Sequence, residues 1–157
     1  LTLDEVKKIA ISAENPKHWL MIELTYTAGL RVSEVVNVKV KHLDLAKLKL
    51  FVPDSDNEGE GRTTIFSGSI RDALARQVGN KKPEGLLFPS ERGGALTTRA
   101  VAKFFKSALE ISGVNKPVTP HSLRHSFGAF MLKNGNHPKV VKNLLGLRRT
   151  MPVAGAV

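Results

Sequence analysis

Cysteine is absent from the 157-residue sequence, and aromatic side chains make up only 6% of it. Without cysteine the chain can form neither a disulfide framework nor a thiolate metal site, and a reducing compartment such as the cytoplasm fits this composition. Apolar residues account for 41% of the chain, but no apolar run is long enough to span a membrane and no export signal opens the sequence. We therefore expect one packed cytoplasmic domain with no membrane partner.

Acidic residues are absent after Glu110, although seven Lys and Arg residues follow it. The first 110 residues carry 17 basic and 14 acidic groups, so most of the net charge of +10 lies in the C-terminal third. This asymmetry favours a polyanionic partner, because Lys and Arg near phosphates release condensed counterions. A basic, solvated surface is the alternative, and charge alone does not separate the two. The sequence also has no acidic cluster with the ligand count of a two-metal nuclease, so we expect no metal and no cofactor.

Apolar periodicity and capping residues predict a mainly α-helical domain with one small antiparallel β-hairpin. Thr2 with Glu5 has the spacing of a capping box, and Asn15 followed by Pro16 is a typical helix start. Helices are predicted within residues 1–13, 15–29, 31–38, 68–79, 97–113, 119–135 and 137–146. The hairpin strands are predicted within residues 47–53 and 62–67.

The segment PHSLRHSFGAFMLKNG, residues 120–135, concentrates polar groups that can bind phosphate. On a helix, His121 and Arg124 share a face, and the arginine fork matches two phosphate oxygens. His121 can donate to phosphate or transfer a proton near neutral pH. His125 faces partly away and is expected to pack inward. Taken alone, H-x-x-R is a short pattern that also arises by chance, as surface residues beside a buried imidazole.

A second motif, TYTAGLRVSEVVNV, places Arg31 directly after a helix-ending glycine, with Glu34 three residues later. Together with PHSLRHSFGAFMLKNG and VVKNLLG, it resembles the catalytic domain of tyrosine recombinases, the phage-integrase and Xer-like family. The resemblance runs from LTLDEV to LLG, so residues 1–146 are expected to form the family-like domain. It implies the fold of DNA breaking-rejoining enzymes.

The resemblance implies a site-specific DNA recombinase that cleaves and rejoins strands through a 3′-phosphotyrosine intermediate. Arg31 and Arg124 would clamp the scissile phosphate, His121 would assist proton transfer, and Glu34 would orient the first arginine. The family needs no metal. The implied partner is double-stranded DNA, bound by the chain alone or as a homo-oligomer, which suggests a cytoplasmic protein associated with the nucleoid. The candidate phosphate contacts are Arg31, Arg62, Arg124, Lys133, Lys139 and Lys142.

Four departures from the family pattern concern chemistry and binding. The hairpin turn has no lysine to act as general acid, and Arg62, its only basic candidate, gives up a proton poorly. Leu147 stands where the family has a second histidine, and it cannot donate a hydrogen bond. The nucleophilic tyrosine is missing from its register near Ala156, and the only tyrosine, Tyr26, is predicted to be a core residue. We also expect the family's N-terminal core-binding domain to be missing, and binding therefore to be weak and salt-dependent.

Residues 147–157 are therefore predicted to be a tail unlike the family, produced by a frameshift, a truncation or engineering. The chain as given is then a recombinase catalytic domain that cannot cleave DNA. The alternative is a naturally decayed recombinase kept as a non-catalytic DNA-binding or assembly-regulating module. An RNA-binding domain is disfavoured, because the few aromatic residues follow apolar helix stripes, not a sheet surface on which bases could stack.

Overall fold

The computed structural model describes residues 1–54 and 60–147. Within these ranges the chain forms seven α-helices and three β-strands, as the sequence predicts for a mainly helical domain. None of the helices in the described ranges has the length and apolar character needed to cross a membrane. The helices are α1 Leu3–Ser12, α2 Pro16–Ala28, α3 Val32–Val35, α4 Arg71–Val78, α5 Thr98–Ser112, α6 Pro120–Lys133 and α7 Pro138–Leu145.

Local capping signals start the first two helices where the sequence predicts. The Thr2 amide donates to Glu5 Oε1 at 2.8 Å, and the Glu5 amide donates to Thr2 Oγ1 at 3.2 Å, which completes the predicted capping box. The Lys17 amide donates to Asn15 Oδ1 at 2.9 Å, with Pro16 at the first helical position. These contacts satisfy backbone N–H groups that a helix start leaves without intrahelical partners.

The sheet has three antiparallel strands, one more than the sequence predicts. Strands β2 Lys49–Pro53 and β3 Gly61–Ile65 form the predicted hairpin, with Phe51 opposite Thr63. Strand β1 Leu43–Asp44 pairs with β2 on its other edge. It contains only two residues, which is too short for an alternating pattern to be recognised.

Helix α2 lies at the centre of the fold, because two of the three apolar clusters include its side chains. One cluster joins α2 to the sheet and α4, and a second joins it to α1, α5 and α6. Tyr26 belongs to the second cluster and is 7% exposed, which confirms its prediction as a core residue. Helix α5 buries Val101, Phe105 and Ala108 on one side. Because α2 is packed on several sides, the chain that leaves its C-terminus starts from a fixed position.

A buried carboxylate on α2 pairs with α1. Glu23 is 2% exposed, and its Oε2 accepts a hydrogen bond from Lys7 Nζ at 2.6 Å. The other oxygen, Oε1, has no hydrogen-bond partner among the described residues. Lys7 is therefore the main compensation for a charge removed from water.

We expect Lys7→Met to lower the free energy of unfolding by about 1–3 kcal/mol, because a buried charged acceptor loses its donor. The Lys7→Met/Glu23→Met double variant should lose less than the sum of the single variants, because no uncompensated charge remains. Urea denaturation measures both values. Lys8→Met, at the exposed neighbouring position, is the control and should change stability by less than about 0.5 kcal/mol. Equal losses of stability in Lys7→Met and Lys8→Met would contradict the stabilising role of the Lys7–Glu23 pair.

Candidate functional site

Arg31 is positioned by the turn that ends α2. Gly29 has a φ of +67°, a left-handed conformation that favours glycine, and it turns the chain towards α3. Arg31 precedes α3, and its backbone amide donates to Glu34 Oε1 at 2.7 Å. Its side chain is 48% exposed, and its Nη1 lies 3.7 Å from Glu34 Oε2. The predicted pairing of these two residues is therefore present, and the guanidinium remains accessible to a ligand.

Arg124, on α6, is buried with 7% of its side chain exposed. Its Nη1 donates to the Gly29 carbonyl at 2.6 Å and its Nη2 donates to the Leu145 carbonyl. Nη1 also lies 3.9 Å from Glu34 Oε1. The structure thus brings the two predicted clamp arginines to one carboxylate, although they lie far apart in sequence.

Arg62, on β3, makes the closest contacts to that carboxylate. Its Nη1 and Nη2 donate to the two oxygens of Glu34 at 2.7 and 3.0 Å, and its Nε donates to the Leu144 carbonyl at 2.7 Å. Its side chain is 12% exposed. We call the cluster of Arg31, Arg62 and Arg124 around Glu34 the arginine site.

The arginine site has an excess of positive charge, because three guanidinium groups surround one carboxylate. Burial, followed by the nearby charges of Arg31 and Arg62, lowers the pKa of Arg124 to about 10, so the group remains cationic at neutral pH. Burial alone would raise the pKa of Glu34, but hydrogen bonds from Arg62 and the Arg31 amide bring it below its ordinary value. Such a cluster attracts anions.

A cleft of about 720 Å³ opens beside the arginine site. It lies against the β2–β3 hairpin and the C-terminus of α7. Leu147, which the sequence resemblance predicts to stand at the position of the family's second histidine, is part of its wall and contributes an aliphatic side chain. The lining includes Arg31, Glu34, Asn37, His42, Phe51, Arg62, Asn143 and Leu147.

The remaining predicted residues lie on α6 and α7. His121 is exposed and lies one helical turn before Arg124. The expectation that His125 packs inward is wrong: it is exposed, because Ser126 and Phe127 occupy the buried side of that turn. Lys133 and Lys139 are exposed and Lys142 is partly buried. The hairpin turn, residues 55–59, and the tyrosine register near Ala156 lie outside the described residues.

Sequence reasoning missed two features of the site. It predicted Arg62 only as a DNA contact or a poor substitute for a lysine, whereas the side chain bonds to Glu34 and α7. It also gave no role to the carbonyl groups of Gly29, Leu144 and Leu145, which accept from arginines. Backbone carbonyls carry no residue-type signal, so no motif could have revealed these contacts. The DNA-contact role of Arg62 stays a prediction.

The comparisons with known proteins agree with this architecture. A model of the phage integrase family matches residues 1–151, so the chain belongs to that family. It is 32% identical over 158 aligned residues to the tyrosine recombinase XerD of Listeria innocua serovar 6a, covering 93% of this chain and 53% of that protein. It is 30% identical to the tyrosine recombinase XerC of Anoxybacillus flavithermus, covering 91% and 52%. The chain thus spans about half the length of the curated relatives it matches.

Solved structures share the fold. The XerA recombinase superposes with a TM-score of 0.84 at 25% identity, covering 99% of this chain and 57% of that one. A lambda integrase dimer bound to a COC′ core site superposes with a TM-score of 0.78 at 23% identity, covering 99% and 47%. Together with the family match, these similarities identify the chain as the catalytic domain of a tyrosine recombinase or integrase.

We expect Gly29→Ala to destabilise the protein more than Gly113→Ala. Both glycines have left-handed φ values, +67° and +77°, so each substitution costs about 1–2 kcal/mol in backbone strain. A Cβ at Gly29 would also lie 2.5 Å from the Phe127 ring, whereas at Gly113 nothing lies within 4 Å. Overpacking adds about 1–3 kcal/mol at Gly29 alone. Denaturation midpoints measure the difference, and equal losses would contradict the packing around the Arg124 acceptor.

The Glu34→Gln variant should be less stable than the wild type at pH 7, and this deficit should shrink on acidification. The folded-state pKa of Glu34 is lowered, so its charge contributes stability above the unfolded pKa of about 4.3. That contribution is lost as the pH falls through the folded value. Denaturation from pH 7 to pH 3 tests this, and a deficit that stays constant over that interval would contradict the lowered pKa.

Proposed function

We propose that this chain binds double-stranded DNA through backbone phosphates and carries the phosphate-binding half of a strand-cleavage site. The proposal rests on one observation: Arg31 and Arg124 both lie within ion-pair distance of Glu34, and the cluster has an excess of positive charge beside an open cleft. Paired guanidinium groups match the oxygens of a phosphodiester in geometry and charge. Contacts of this kind position a duplex without reading much of its sequence.

Each residue then has a defined role in strand cleavage. The guanidinium groups of Arg31 and Arg124 hold the non-bridging oxygens and stabilise the negative charge that develops on them. A tyrosine hydroxyl gives up its proton to a general base as its oxygen attacks phosphorus, the bond to the 5′ oxygen breaks, and that oxygen takes up a proton from a general acid. His121, exposed one turn before Arg124, is the candidate group for proton transfer. Arg31, Arg124 and His121 belong to this chain, whereas the attacking tyrosine is not assigned to any of its residues. The proposal includes no metal or cofactor.

The partners follow from the structural relatives. Lambda integrase has been solved as a dimer bound to a core site and as a tetramer bound to a Holliday junction. We infer that this chain also binds duplex DNA, with a homo-oligomer on DNA as its assembled form and the nucleoid as its place in the cell. Lys133, Lys139 and Lys142, in the part of the sequence without acidic residues, are the further candidate phosphate contacts.

The chain as given is proposed to lack strand-cleavage activity. Its sequence contains one tyrosine, Tyr26, and that side chain is buried between α-helices. Leu147 adds no hydrogen-bond donor to the cleft that it lines. In this proposal residues 1–146 form the family-like domain and residues 147–157 form a tail of different origin.

A non-catalytic DNA-binding or assembly-regulating module is the second candidate. Arg124 supports it, because the buried guanidinium bonds to the Gly29 and Leu145 carbonyl groups and so contributes to the fold whether or not chemistry occurs. Restoring the tail separates the two candidates, since a dedicated binding module should not regain cleavage.

We expect a covalent protein–DNA adduct when residues 147–157 are replaced by a family-like segment with histidine at 147 and tyrosine at 156. Arg124→Ala or Arg124→Lys in this background should abolish the adduct and leave nonspecific duplex binding within a few-fold. Gel electrophoresis of a nicked substrate under denaturing conditions measures the adduct, and a filter assay measures binding.

Lys139→Ala is the control in the same background. It removes one charge from an exposed position, so the adduct should persist while the slope of log affinity against log salt falls by about 0.9. If cleavage survives Arg124→Ala, and both variants lower binding equally, the phosphate-clamp assignment is wrong. If no adduct forms in the repaired protein itself, the binding module becomes the favoured function.

A further inference from the structure

Arg62 directs its hydrogen bonds into the protein. It lies on β3, yet its guanidinium bonds to Glu34 in α3 and to the last turn of α7. Three N–H groups of one side chain therefore join three elements that are distant in sequence. Its Nε, Nη1 and Nη2 each already donate to a protein acceptor, so few of its N–H groups are left for a DNA phosphate.

The end of α7 leaves space for the Arg62 side chain and offers it hydrogen-bond acceptors. Gly146 has a φ of +77°, and a Cβ there would lie 2.7 Å from Arg62 Cδ. The glycine therefore both ends α7 and leaves space for the arginine stem. The last carbonyl groups of a helix lack intrahelical donors, and a cation is favoured at that negative end. Arg62 supplies both a donor and a charge to the end of α7.

Arg124 contacts the same two parts of the protein as Arg62, the end of α7 and Glu34. It donates to the Leu145 carbonyl, one residue after the Leu144 carbonyl that accepts from Arg62. It also lies 3.9 Å from Glu34 Oε1, the oxygen that accepts from the Arg31 amide. A shift of Glu34 or of the end of α7 would therefore reorient the guanidinium group of Arg124. A shift of Glu34 would also reorient that of Arg31.

We propose that Arg62 is a positioning residue: it fixes Glu34 and the C-terminus of α7, sets the directions of Arg31 and Arg124 through them, and does not itself bind phosphate. The inference rests on the proposed function for its consequence in DNA binding. Lysine cannot replace Arg62 in this role, because its three N–H donors share one nitrogen, whereas the contacts to Glu34 and Leu144 use the three separate nitrogens of the planar guanidinium. At a direct phosphate contact, by contrast, lysine would serve well as a point charge.

The first test compares duplex DNA binding across salt concentrations for the wild type, Arg62→Lys, Arg62→Met and Arg71→Met. Arg71 is the matched control, because it is an exposed arginine whose Nε also donates to a carbonyl, that of Leu45, at 3.0 Å. We expect Arg62→Lys and Arg62→Met to weaken binding by a similar factor, about twofold to threefold. Arg71→Met should have a smaller effect.

The opposite pattern would overturn the inference. If Arg62→Lys keeps wild-type affinity and salt slope, while Arg62→Met lowers the slope by about 0.9, then Arg62 contacts phosphate directly. A similar loss in Arg71→Met and Arg62→Met, with Arg62→Lys at wild-type affinity, would also overturn it, because charge rather than position would then explain the effect.

The second test reads the positions of the arginines without DNA. In ¹H–¹⁵N spectra, the Nε–Hε signals of Arg31 and Arg124 should shift in Arg62→Lys and stay in place in Arg71→Met. Unchanged signals in Arg62→Lys would overturn the inference whatever the binding data show. If the wild type does not bind DNA but the signals shift as expected, the proposed function fails while the positioning role stands.

A double variant provides the control for loss of folding. Where Arg62→Met alone unfolds, Arg62→Met/Glu34→Gln removes the buried charge with its partner and should recover part of the stability. The Nε–Hε signal of Arg124 in that variant should still differ from the wild type, because the Leu144 carbonyl has lost its donor. A wild-type signal there would count against the inference.

Discussion

The carboxylate of Glu34 is the group on which the arrangement of the site depends. It accepts from the Arg31 amide and from two nitrogens of Arg62, and it lies within ion-pair distance of Arg124. Three guanidinium groups in one place would repel each other, and a single partly buried carboxylate offsets that repulsion only in part. The carboxylate therefore keeps the three arginines together, and the remaining positive charge of the cluster still attracts an anion.

Apolar packing in the core fixes the positions of the carbonyl groups that accept from Arg124. Helix α2 is buried along most of its length, so Gly29 at its end has a fixed position. The Phe127 ring and the Leu145 side chain pack closely around that glycine. The acceptors of Arg124, the carbonyl groups of Gly29 and Leu145, thus lie in the same packed region as these apolar contacts. Apolar packing between α2, α6 and α7 therefore determines where an ionic site is placed.

The parts that the sequence predicts are those decided by neighbours along the chain. The Thr2–Glu5 capping box, the Asn15 cap and the Arg31–Glu34 pair each join residues two or three positions apart. Contacts made through folding were missed: Arg62 reaches Glu34 across 28 positions, and Arg124 reaches Gly29 across 95. The family resemblance placed Arg31 and Arg124 in one site, but no pattern in the residues indicated which carbonyl groups would hold them.

The internal bonds of Arg124 have a consequence for the thermodynamics of association. A free arginine side chain samples many rotamers, and fixing it against a ligand costs about 2 kcal/mol of conformational entropy. Here the carbonyl groups of Gly29 and Leu145 hold the guanidinium before any ligand arrives. That entropy is lost during folding, so a ligand that binds the guanidinium does not cause the same loss again. If Arg124 binds phosphate as proposed, the packed core raises the affinity without an added contact.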